Sequence, residues 1–139
     1  MNKIAVLMDP IENLDPSKDT TICLMESLQK FAKIYYILPN TISYKNNFVI
    51  ASIARITINR KISQFYKLSK FREQNLDKMD VILFRKDPPV NDNYLNVTHI
   101  LQRLESAGKL IMNSPSSIMM MNEKTLGDCY SPNRLPSII

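Results

Sequence analysis

Glycine is almost missing from this sequence: Gly108 and Gly127 are the only two among 139 residues. Loops that cradle nucleotide phosphates need several closely spaced glycines so that backbone N–H groups can approach the phosphate, and no such loop can be built here. Any nucleotide would have to be held mainly by something else. Long apolar runs are lacking too. The longest, at residues 4–8 and 81–84, fall far short of the roughly 20 residues that cross a bilayer, so no membrane segment is expected. The amino terminus leads into a short apolar run closed by Asp9 and Pro10, not into the longer apolar core and cleavage site of a signal peptide, and a cytoplasmic location is expected. Cysteine is limited to Cys23 and Cys129, far apart, outside any CxxC pattern and without neighbouring histidines. Such residues read as free, buried thiols in a reducing compartment. The single histidine, His99, has no partner histidine and reads as a structural helix residue, not a metal ligand. Acidic residues are outnumbered, 13 against 18 basic, for a net charge of +5. The cations are scattered from Lys3 to Arg134 instead of forming a tract, so no nucleic-acid partner is expected.

What is present is enough apolar material, 45% of residues, to bury the core of one ordinary domain. Residues 3–8 form a continuous apolar run, the mark of a strand buried on both faces. Residues 20–33 carry Ile22, Met25, Leu28 and Ala32 at helical spacing, with Asp19 or Thr20 as cap. Another strand is expected at 34–38, ended by Pro39 and Asn40. Short β-prone runs at 48–51 and 54–58 suggest an exposed hairpin or meander, whereas 59–77 is polar with scattered aromatics and reads as loop, short helix or both. A buried strand is expected at 80–85, a helix at 94–107 stopped by Gly108, and a strand at 109–112. A last helix, capped by Ser114 with Pro115 in its first turn, is expected to run to about residue 126, and an irregular tail covers 131–139. Strands alternating with helices give an α/β, Rossmann-like fold: a mostly parallel sheet with helices on both faces and a small β meander. Ligands of such sheets sit beyond the carboxyl ends of the strands, which directs attention to Asp9-Pro10 and to the segment from Arg85 to Pro89.

Four segments, Met8-Asp9-Pro10-Ile11, Lys18-Asp19-Thr20, Arg85-Lys86-Asp87-Pro88-Pro89 and Asn122-Glu123-Lys124, together resemble the amino-terminal domain of prokaryotic glutathione synthetase, in order and in spacing. The resemblance spans essentially the whole chain. It implies a pre-ATP-grasp substrate domain at residues 1–126 and, at 127–139, a connection into an ATP-grasp portion that the chain does not contain. It further implies a ligase that joins γ-glutamylcysteine to glycine with ATP and magnesium, through an acyl phosphate attacked by the glycine amine. A carboxylate is a poor electrophile until it carries a good leaving group, and cations with magnesium stabilise the moving phosphoryl charge. In the family the later portions clamp the nucleotide and supply the acidic metal ligands and a glycine-rich loop. The chain alone is therefore expected to be inactive and to bind neither ATP nor Mg2+ tightly. A separately encoded carboxyl-terminal half is one expected partner and a second copy of the chain another. A stand-alone binding or dimerisation module, or a decayed relic without function, are the rival readings.

Within that frame Asp9 can take hydrogen bonds from the substrate's amine or simply fix a turn. Lys18, just before the first helix, is either a solvated charge or a substrate contact. Arg85, at the end of a buried strand, can fork onto a substrate carboxylate, or form an ion pair with Asp87 or another acid. Asp87 is a further candidate for substrate binding, on the face opposite Lys86 if the strand continues. Lys124 matches the family's lysine that reaches ATP. Met119, Met120 and Met121 are core filling, or a surface covered by the absent portion.

Overall fold

In this computed structural model, which describes residues 2–120, strand β1 (Asn2–Leu7) is apolar on both sides from Ile4 onward because both of its sides are covered there. Ala5 and Leu7 enter one buried cluster, and Ile4 and Val6 enter the other. Helix α1 (Thr20–Leu28) follows, its first turn closed by the Asp19 carboxylate, which accepts from the Ile22 N–H at 2.8 Å. The helix buries Ile22 and Met25 against the second cluster. It ends five residues earlier than the spacing suggests. Ala32 is buried, as expected, but from strand β2 (Ala32–Ile37), because the Phe31 N–H turns back onto the Leu28 carbonyl.

Strand β2 lies parallel to β1, with Ala5 opposite Tyr35 and Leu7 opposite Ile37. On the other side of β1 runs β7 (Val81–Phe84), also parallel, with Leu7 opposite Phe84, and β7 in turn pairs in parallel with β8 (Leu110–Met112). Helix α2 (Asp92–Ser106), capped by Asn91, connects these two strands and buries Tyr94, Val97, Leu101 and Leu104 in the first cluster. Helices α1 and α2 thus cover opposite faces of one parallel sheet, the Rossmann-like arrangement. Gly108, at φ +88°, ends α2: its N–H bonds Glu105 and the next N–H, of Lys109, reaches back to Leu104. Ser114 caps helix α3 (Pro115–Met120) through the Ser117 N–H, and the expected extent of that helix beyond residue 120 lies outside the described residues.

Beyond β2 the sheet turns antiparallel. The two β-prone runs are one strand, β4 (Phe48–Ile58), joined to β3 (Ser43–Lys45) by a tight turn at Asn46 and Asn47, both at positive φ. Strands β2 and β3 share one edge of β4; the gap between them is filled by Thr41, whose hydroxyl donates to Leu38 O and accepts from Ser52 N. The opposite edge carries β5 (Tyr66–Leu68) and β6 (Arg72–Asn75), so the polar stretch read as loop or helix contains two short strands. Along β4 burial changes sides: Val49, Ala51 and Ile53 enter the cluster under α2, and Ile56 and Ile58 enter the one under α1. Gln29 ties α1 to this limb, donating to Ile58 O at 2.7 Å and accepting from Ile58 N at 2.9 Å.

Candidate functional site

Adjacent parallel strands release their chains at the same edge of the sheet, and β1 and β7 are adjacent. The Arg85 N–H extends the ladder by one bond, to Leu7 O at 2.7 Å, so the segments after Leu7 and Phe84 leave side by side. Asp9 and Lys86 meet there, Oδ1 to Nζ at 2.9 Å, with their side chains 29% and 19% exposed. The other carboxylate oxygen of Asp9 accepts from the Asp87 N–H at 3.1 Å. Asp9 therefore clasps the start of the second loop, fixing a lysine and a backbone amide together.

Arg85 turns the other way, towards α1. Its Nε donates to the Thr21 hydroxyl at 3.3 Å and its Nη2 to the Thr20 hydroxyl at 3.1 Å. Thr21 is buried and Thr20 exposed, so the guanidinium lies across the first turn of the helix with its outer edge towards solvent. A guanidinium has five N–H donors, and among the described residues only these two threonines accept from it through a side chain. The ion pair with Asp87 is not formed; Asp87 is exposed, and only its backbone takes part. A cation next to the amino-terminal end of a helix is in an unfavourable field, since that end is itself electropositive. Arg85 at the helix end is accordingly suited to an anion, such as a carboxylate, whereas the charge of Lys86 is already countered by Asp9.

Lys18 lies on the loop before α1, 85% exposed, 3.8 Å from Asp15. That loop is shaped by Asp15, whose carboxylate takes bonds from the backbone and hydroxyl of Ser17, which hold it below the usual carboxylate range. No contact joins Lys18 to Asp9 or Arg85 among the described residues. Lys124 lies outside the described residues, as do Met121 and Cys129; Cys23 is a free thiol, but half-buried instead of buried as expected. His99 sits exposed on α2, beside Gln102, and away from any ligand cluster. Residues missed by sequence reasoning are Lys86, Thr20 and Thr21 as partners; Lys18-Asp19-Thr20 signals the segment, but not that it receives Arg85. Among the described residues no group of three or more His, Cys, Asp or Glu side chains could hold a metal ion, and no helix is long and apolar enough to cross a membrane.

Fold and strand ends define a Rossmann-like domain that brings Arg85 and the Asp9–Lys86 pair to the carboxyl edge of its parallel strands. The family described as prokaryotic glutathione synthetase, N-terminal domain, matches residues 2–119, and the chain belongs to it. Similar proteins include the glutathione synthetase of Wigglesworthia glossinidia brevipalpis, 39% identical over 99% of this chain and 44% of its own length. That of Coxiella burnetii (strain RSA 493 / Nine Mile phase I) is 37% identical over 88% of this chain and 38% of its own length. That of Vibrio vulnificus (strain YJ016) is 31% identical over 100% of this chain and 44% of its own length. The chain thus spans less than half the length of these relatives.

Proposed function

We propose that this chain is the γ-glutamylcysteine-side domain of a glutathione synthetase, contributing one wall of a cleft in which the dipeptide's carboxylate is activated with ATP and joined to glycine. The observation that supports this most is the pairing of tips: Arg85, braced by Thr20 and Thr21, stands beside the Asp9–Lys86 clasp at one sheet edge. In this reading the outward N–H groups of Arg85 take a carboxylate of the dipeptide as a fork. Asp9 acts through its partners, holding Lys86 and the Asp87 amide so that the loop after β7 keeps its shape. Lys18 and Asp87, both exposed, supply charge at the rim. Lys124 would reach the nucleotide.

ATP and magnesium supply the leaving group and its charge neutralisation in the family. In this reading the ion is bound by the portion of the relatives that this chain does not span. The test is ADP release with γ-glutamylcysteine, glycine, ATP and Mg2+. None is expected from the 139 residues alone; activity is expected when the remaining portion of a relative is supplied as a separate chain, and Arg85→Ala should lower kcat/KM for the dipeptide about a hundredfold or more. Turnover by the isolated chain, or full activity with Arg85→Ala, would refute the proposal.

A further inference from the structure

A second cationic site lies on the face of the sheet, away from the strand-end edge. Tyr35 on β2, Ile53 and Arg55 on β4, Arg72 and Gln74 on β6, and Lys70 in the preceding loop surround an open groove of about 260 Å³. The register puts them there. Tyr35 is opposite Arg55, and Ile53 is opposite Arg72, so these side chains share the face that carries α2, beyond the part that α2 covers. Glu73, next in sequence to Arg72, is sent by the pleat to the other face. The β5–β6 turn is drawn onto β4 by the bonds of Ser69, whose hydroxyl accepts from Arg55 N and whose N–H reaches Arg55 O. That closure brings Lys70 to the same mouth.

Three cations therefore face one concavity with no acidic side chain lining it, and among the described residues none of the three forms an ion pair. Like charges on neighbouring strands repel, and a groove concentrates their field more than a convex surface does. The floor is Ile53, buried, and the half-buried ring of Tyr35, whose hydroxyl adds a donor. Gln74 adds an amide. Donors and cations with no acidic side chain among them suit a ligand that is all acceptor.

We infer that this groove is a binding site for a compact polyanion bearing phosphate or carboxylate groups, held by the forks of Arg55 and Arg72 with Lys70 as a closing charge. The volume, slightly under the usual range of about 300–1,000 Å³ for ligand pockets, limits the ligand to a small one. The site is independent of the strand-end cleft and of its function.

Titration calorimetry of the chain with pyrophosphate tests it, with citrate as the carboxylate arm. Saturable binding is expected, weakened by salt and weakened at least about tenfold by the Arg55→Gln/Arg72→Gln pair, with Arg85→Ala unchanged. Tighter pyrophosphate assigns the site to phosphates, tighter citrate to carboxylates. Because the arginines lie on strands, Lys70→Gln in the turn provides a variant that leaves the ladder intact and should weaken binding severalfold. Absence of saturable binding at millimolar anion overturns the inference. So does binding lost in Arg85→Ala but kept in the groove variants, which would put the anion at the strand ends.

Discussion

In the parallel half of the sheet, β1, β2 and β7 lie between helices on both faces, and their ends converge on one edge. In the antiparallel limb, β5 and β6 are strands of three and four residues attached to the outer side of β4, half-buried or exposed along their whole length. The parallel half places a strand-end site by backbone topology alone, since neighbouring parallel strands must deliver their following loops together. The limb places its cations by side-chain register, and a shift of one residue would send Arg55 or Arg72 to the other face. One region is therefore robust and the other adjustable.

The widest expected gap between them is in stability. Phe84, 2% exposed and 5.5 Å from the Tyr94 ring, sits in the parallel core, and Phe84→Ala should cost about 3–5 kcal/mol by urea denaturation. Leu68→Ala in β5 should cost only about 1 kcal/mol, its side chain being half-buried. Equal losses would erase the contrast. The join between the regions comes next: Gln29→Ala removes both of its bonds to Ile58 and should cost about 2 kcal/mol, with faster hydrogen exchange along β4 and β5 but not β1. Asp9→Asn should cost about 1 kcal/mol, since it leaves Lys86 partly buried without its counter-charge, and should loosen the loop after β7 in the same exchange experiment.

The smallest effect concerns pH. Glu26 is held below the usual carboxylate range by bonds from the Arg60 side chain and backbone, so its charged form favours the folded state. The contribution is present above the unfolded value of about 4.3 and is lost as pH falls through the lowered folded value. Urea midpoints of the native chain and of Glu26→Gln should therefore differ at pH 6 and converge in strong acid. A difference that grows on acidification has the wrong sign for this pair.

Sequence reading reached the parallel half because strands covered on both faces must be apolar at every position, as Ile4 to Leu7 and Ile82 to Phe84 are. Continuous runs are visible without knowing their neighbours. It did not reach β5 or β6, because Tyr66–Leu68 and Arg72–Asn75 have no period of their own and become strands only by pairing with β4. The site divides in the same way. The meeting of the segments after Leu7 and Phe84 at one sheet edge was legible from two buried strands of a parallel sheet. Lys86 was not, since its partner lies 77 positions away in sequence, and neither was the turn of Arg85 towards Thr20 and Thr21. The alternative pairing of Arg85 with Asp87 rested on nearness in sequence, which the geometry of the strand end does not respect.

The shared edge at Asp9 and Arg85 is tested most directly by following backbone amide resonances while γ-glutamylcysteine is added to the chain. The account expects saturating shifts at Asp9, Thr20, Thr21 and residues 85–87, absent in Arg85→Ala, with Tyr35, Arg55 and Arg72 unmoved. Saturating shifts confined to the Tyr35–Arg72 groove, or strand-end shifts that persist in Arg85→Ala, would contradict it.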